Sequence, residues 1–336
     1  MDRRTFFQTA ATTLGMATLP GLSAARRRNA VNTVLGPVPA DQLGRVLIHE
    51  HVLVDFVGAD KIVPGRYDRN EVFKVVLPHL AKLEAVGCRT FVDCTPDFLG
   101  RDPELLRRLS QASGLHIVTN TGLYGAAEDK YVPRFAYLET AEQLATRWTR
   151  EFEKGIPPSN IRPGFIKIGV DAGPLSEIDA KLVAAAALTH KRTGLIIAAH
   201  TGDGVAAMEE LRILEKYEVG PSAFIWVHAQ NERDPDVHLK AARMGAWVEF
   251  EGLTGEGRDV WADSILKMKQ AGLLLRVLIS NDAGWYNVDE PGGGKFSDYD
   301  VLFSEFLPRL RRVGLTEDDM ATLLEQNPQQ VLRPQI

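Results

Sequence analysis

Short apolar runs recur along the chain, each followed by a longer stretch whose apolar positions repeat every three or four residues. Residues 46–51, 90–95, 116–121, 165–170, 195–200, 224–228, 247–251 and 277–282 are rich in Val, Ile, Leu and Phe with little alternation. That pattern predicts strands buried on both faces of a parallel sheet. Helical spacing follows in 71–86, 103–112, 140–154, 177–192, 205–217, 235–244 and 259–271, and again in 298–313 and 316–332. Gly114 and Gly194 stand just past two of these segments, where a left-handed cap favours glycine. Eight strands alternating with helices predict one α/β domain, a single (β/α)8 barrel. The competing architecture, a doubly wound open sheet, would put a glycine-rich phosphate turn after the first strand. Here that strand ends in His49-Glu50-His51.

Composition narrows the partners. Lys and Arg number 39 against 44 Asp and Glu, a net charge of -5, which argues against nucleic acid. The two cysteines, Cys88 and Cys94, flank one expected strand. At about 3.3 Å per residue they stand roughly 20 Å apart, too far for a disulfide, so both thiols are expected free.

The first residues read as an address rather than as fold. Arg3-Arg4-Thr5-Phe6 precedes an uncharged stretch, the small residues Ser23-Ala24-Ala25 and a basic patch, Arg26-Arg27-Arg28. The paired arginines resemble a twin-arginine signal. Residues 1–28 are therefore expected to be a signal peptide and 29–336 the barrel domain. The export machinery is then a partner, the periplasm the destination, and a metal would be loaded before export.

Candidate chemistry gathers at the carboxyl ends of the apolar runs. His49 and His51 are two apart, which puts both imidazoles on one side of a strand, able to share a metal ion. Lys167 lies within Phe165-Ile166-Lys167-Ile168, where a buried cation is costly. A buried neutral amine can instead take up carbon dioxide, and the resulting carbamate offers two oxygens to two metals. His200 and His228 each end an apolar run, and Asp282 ends the last one, as a metal ligand and proton acceptor or else a helix cap. In a barrel these ends meet at one face, where active sites are built. His79, His116, His190 and His238 have no such placement.

The set His49-Glu50-His51, Phe165-Ile166-Lys167, Ala199-His200-Thr201, His228 and Ser280-Asn281-Asp282, with Gly87-Cys88-Arg89-Thr90-Phe91-Val92-Asp93, resembles the phosphotriesterase family of the amidohydrolase superfamily. The resemblance implies two divalent ions, zinc by default with manganese, cobalt or iron as alternatives. His49, His51 and Asp282 would hold the more buried ion and His200 and His228 the more exposed one. Carbamylated Lys167 and a hydroxide would bridge them. It implies hydrolysis of a lactone or carboxylic ester, with organophosphate triesters as the alternative. Two further readings are a mononuclear amide hydrolase and a non-catalytic ligand-binding barrel. Tyr124, after the third strand, resembles a tyrosine that lactonase-like members set against the metals. Members are often homodimers. Two segments depart from the pattern. Ala229-Gln230-Asn231-Glu232 replaces a more Asp-rich run, and Glu251-Gly252-Leu253 replaces a His or Arg at the seventh strand end. The stretch 283–297, with Trp285 and Tyr286, reads as a covering loop suited to an uncharged or partly apolar substrate. Arg258, ahead of that loop, and Lys295, within it, are candidate contacts for an anionic group.

Overall fold

The computed structural model describes residues 29–252 and 258–335, so the expected signal peptide, Leu253 and the side chain of Arg258 lie outside the described residues. The chain enters through an antiparallel hairpin, β1 (Ala30–Thr33) and β2 (Gly36–Pro39). The sequence hides it, because Gly36, Pro37 and Pro39 are poor strand formers. Then follow β3 (Arg45–Val54), β4 (Cys88–Asp93), β5 (His116–Val118), β6 (Asn120–Thr121), β7 (Phe165–Val170), β8 (Ile197–Thr201), β9 (Phe224–Val227), β10 (Trp247–Phe250), β11 (Val277–Ile279) and β12 (Gly284–Asn287). All pairs among β3 to β12 are parallel, in two sheets ordered β12-β3-β4-β5 and β6-β7-β8-β9-β10-β11.

Two seams join the sheets. The expected strand 116–121 is split: β5 pairs with β4 and β6 with β7, so the chain passes from one sheet to the other within six residues. Opposite, the Asp282 N–H donates to the His49 carbonyl (3.1 Å) and the His51 N–H to the Ala283 carbonyl (2.8 Å). The last expected strand, 277–282, thus stops at Ile279. Part of the expected covering loop forms β12 beside β3.

Alternate residues of the strands serve two separate cores. Val46, Ile48, Val92, Val118, Phe165, Ala198, Ile225, Val227, Trp247 and Leu278 form one cluster. Leu47, Phe91, Ile117, Ile166, Ile168, Ile197, Trp226, Val248, Phe250, Val277 and Ile279 pack in the other, with the helices. Burial on both faces explains why the strands read as unbroken apolar runs. The helices supply the outer partner. Arg69–Ala85 buries Val72, Val76, Leu80 and Leu83, one stripe at helical spacing. Glu177–Thr193 starts on a Ser176 side-chain cap and ends at Gly194, φ 71°. Both cysteines are free and buried.

Candidate metal centre

The histidine pair depends on an irregularity. The pairing of β3 with β4 shifts register between Leu47 and Glu50. Val46 and Ile48 fill the inner core, so strict alternation would turn His49 away from it. The shift breaks the alternation, as a bulge does, and turns His49 and His51 together to the side of that core. Their Nε2 atoms lie 3.3 Å apart. Asp282 Oδ1 is 3.2 Å from His51 Nε2 and 3.8 Å from His49 Nε2. Two donors each about 2.0–2.1 Å from a tetrahedral ion stand roughly 3.4 Å apart, so these spacings suit shared coordination.

Lys167, from the middle of β7, is 1% exposed, and its Nζ has no hydrogen-bond partner. His200 at the end of β8 and His228 just after β9 bring their rings to 4.2 Å, and His228 lies 5.5 Å from His49. Tyr124 sits against this group, 5.0 Å from the His200 ring, with its own ring packed on Gly169. The structure thus brings together His49, His51, Tyr124, Lys167, His200, His228 and Asp282, with Lys167 Nζ 6.0 Å from the Tyr124 ring. The other four histidines lie elsewhere: His238 and His190 bond carbonyls, His79 pairs with Asp298, and His116 opens β5.

Backbone conformation helps to aim two of these side chains. His228 (φ 61°) and Asp282 (φ 53°) both adopt the left-handed region, uncommon for residues with a Cβ. The strain is held locally. The His228 N–H donates to Glu251 Oε1 (3.0 Å), and the Asp282 carbonyl accepts from Trp285 Nε1 (2.8 Å).

Four acids that the sequence reading left without a role support the site. Glu50 points away from the histidines and accepts from the Ser280 hydroxyl (2.8 Å), the Asn281 N–H and amide (both 2.9 Å) and the Ala283 N–H (2.8 Å). It fixes the segment that carries Asp282. Burial pushes the Glu50 carboxyl up to about 8, against the pull of those donors. Asp93 accepts from the Val52 N–H (2.9 Å) and the Thr95 N–H (3.2 Å), and Thr95 Oγ1 lies 2.7 Å from His51 Nδ1. Glu251 places one oxygen 2.6 Å from His49 Nδ1 and the other 2.6 Å from His228 Nδ1. Glu249 Oε1 is 3.3 Å from His49 Nδ1. A signal for them existed: a charged residue inside an apolar strand buried on both faces needs a partner.

Burial, with the Lys167 cation adding to it, lowers the His49 imidazole to about 4. Burial, with His228 and Lys167 as like charges, holds His200 well below its ordinary value. Burial also opposes a charged His228, but Glu251 outweighs it by charge and hydrogen bond, and the net shift is upward. Burial alone would raise Asp282; the His51 imidazole 3.2 Å away and the other surrounding imidazoles keep it ionised and well below the usual range. Burial, then the Asp282 charge, raises the Tyr124 phenol, which stays protonated. Neutral imidazoles, as favoured at His49 and His200, and an ionised carboxylate, as at Asp282, are the forms that bind divalent metals; His228 is held toward its charged form by Glu251.

The departing segments have structural work. Glu232 accepts from the Gly204 N–H (3.2 Å) and the Asp234 N–H (2.8 Å), and Gln230 Oε1 accepts from the Glu251 N–H (3.3 Å). Trp285 packs at a tilt with its ring 4.9 Å from that of His51, whereas Tyr286 packs inward on Gly293 and Lys295 is exposed.

Buried polar atoms without an aligned partner cluster here: His49 Nδ1, Lys167 Nζ, Glu249 Oε1, Glu251 Oε2 and Asp282 Oδ1. Such atoms are costly unless something completes them, and this donor set fits divalent ions. One ligand atom each from His49, His51 and Asp282 lies within 4.8 Å of the others, as does one each from His49, His228 and Glu251.

The phosphotriesterase family profile matches residues 29–332. The chain belongs to the phosphotriesterase family. This is a family of metal-dependent hydrolases, and the chain carries candidate ligand groups for that chemistry. It is 29% identical to the phosphotriesterase homology protein of Escherichia coli, over 86% of this chain and 98% of that protein. It is 25% identical to an aryldialkylphosphatase of Saccharolobus solfataricus, over 87% and 95%. It is 26% identical to a phospho-furanose lactonase of Mycoplasmopsis synoviae, over 89% and 90%.

Proposed function

We propose that the chain is a binuclear metal-dependent hydrolase of lactones or carboxylic esters, exported by the twin-arginine pathway to the periplasm. The observation that carries this reading is the convergence of His49, His51, Lys167, His200, His228 and Asp282, with unpartnered buried atoms among them. We read the two sheets as one closed barrel. The shared segment 116–121 and the Asp282–His49 backbone bond support closure at its two seams. Arg3-Arg4-Thr5-Phe6 supports export.

His49, His51 and Asp282 would hold one ion, His200 and His228 the other. Lys167 would reach both as a carbamate, its Nζ forming a bond to CO2 and releasing a proton. Zinc suits these donors, and manganese, cobalt or iron are accepted by the same set. Bound ions of this kind lower the pKa of water toward neutrality and polarise a carbonyl or phosphoryl oxygen. Asp282, held ionised, accepts the proton released as the nucleophile adds. Tyr124 presents a protonated phenol beside His200. Trp285, Phe56, Tyr131 and Tyr124 follow one another at ring separations of 5.7, 6.3 and 5.9 Å. This wall favours a substrate with an apolar portion.

Similarity to an aryldialkylphosphatase supports phosphotriester hydrolysis as a second reading. The test compares kcat/KM for a γ- or δ-lactone and for an aryl dialkyl phosphate, on metal-reconstituted protein with bicarbonate. A large lactone preference is expected; a large triester preference reverses the assignment. One ion per chain points to the mononuclear amide hydrolase, and none to a non-catalytic barrel.

A further inference from the structure

We propose that Glu251 is a positioning residue of the metal centre, a single carboxylate that holds one histidine from each half and makes the filling of the two metal positions interdependent. The proposal rests on the binuclear reading above. Glu251 is 0% exposed and stands one residue past β10, across from both rings. A histidine that binds metal through Nε2 is oriented by an acceptor at Nδ1. His51 has the Thr95 hydroxyl for this purpose. His49 and His228 share Glu251, with each oxygen 2.6 Å from one Nδ1. The same carboxylate receives the His228 N–H at 3.0 Å and so also steadies that residue at φ 61°. At His49 the spacing is short but the ring is off the hydrogen-bond line, for both Nδ1 and Glu251 Oε2 lack an aligned partner. Turning the His49 ring toward a metal and turning it toward Glu251 are then one adjustment. A carboxylate moved by one ring moves the acceptor of the other.

Glu251→Gln tests this, since it keeps the size but offers one acceptor and one donor in place of two acceptors. Zinc affinity is measured by chelator competition. E251Q is expected to lose about 10- to 100-fold at both positions, the range for outer partners of metal-bound histidines. It should also release its ions in two phases where the unaltered protein releases them together. Two ions bound by E251Q with unchanged affinity and unchanged release overturn the role of Glu251 alone. Unaltered protein that saturates at one ion removes the binuclear reading and the coupling with it. A second measurement needs no variant. In zinc-loaded protein with 15N-labelled histidine, His49 and His228 are both expected to carry a slowly exchanging proton on Nδ1. An unprotonated Nδ1 on either ring overturns the proposal.

Discussion

Glu50, within β3, and Glu251, one residue past β10, are both fully buried carboxylates beside the histidine cluster, and they end in opposite states. Glu50 receives four hydrogen bonds from Ser280, Asn281 and Ala283, and none of its oxygens is orphaned. Glu251 faces two imidazoles and keeps one oxygen without an aligned partner. A buried polar group completed by the protein belongs to the fold. One left incomplete beside other incomplete groups marks a place prepared for something else. Burial and residue type are the same in both cases, so only the state of the partners separates structure from function.

Lys167 is the extreme of the incomplete class, and Lys167→Met should have the largest effect. Metal content is expected to fall below two ions per chain, and kcat/KM by on the order of 10² to 10³ or more, as when a transition-state charge partner is removed. Calorimetry of the metal-free protein should find it no less stable, because an unpaired buried amine is gone. Full metal content with full activity would end the bridging role.

Glu50→Gln probes the complete class. Near pH 5, where the folded protein holds Glu50 protonated, it replaces an accepting oxygen with an amide nitrogen that cannot accept, so one of the four donors faces a donor, at a cost of roughly 3 kcal/mol of stability, with or without metal. Urea denaturation of the metal-free protein reads this directly. Equal stability would place Glu50 with Glu251, and the contrast would fail.

Glu210 stands between the two. Its Oε2 accepts from the Thr201 hydroxyl (2.8 Å), and its Oε1 is orphaned. Burial pushes the carboxyl up to about 8 from its ordinary value of 4.5. The folded state therefore holds a proton that the unfolded chain loses first, and stability falls as pH rises from about 4.5 to about 8. Glu210→Gln should flatten that slope, matching the parent near pH 4.5 and exceeding it above pH 8. Parallel pH–stability curves would mean that Glu210 is ionised in the fold.

Tyr124→Phe should have the smallest effect. The ring keeps its packing on Gly169, and loss of the hydroxyl is worth about one hydrogen bond, threefold to tenfold in kcat/KM for a lactone. A loss of a thousandfold would make the phenol a proton donor in the chemistry.

The site was legible in the sequence to the extent that it is local. Spacing by two put His49 and His51 on one side, and Lys167, His200, His228 and Asp282 announced themselves as polar residues in or ending apolar runs. The supporting acids were not legible. Glu50 meets residues about 230 positions away, and Glu251 meets His49 about 200 away. Glu251 looked like a lost functional residue because its partners lie on other strands. The hairpin β1–β2 and the strand β12 escaped for a related reason. Their residues carry weak strand signals, and pairing with a neighbour decided them.

What the sequence by itself determined is the alternation of buried strands and amphipathic helices, and the residues whose chemistry is too costly to bury without purpose. Periodicity and burial cost are properties of short segments, so they survive in one dimension. What only the tertiary structure decided is which of those residues meet and which are completed. The register shift in β3 faces the histidines inward, the seams bring Asp282 to His49, and one carboxylate lands between two rings. Those outcomes depend on pairing between distant strands, which no local pattern encodes.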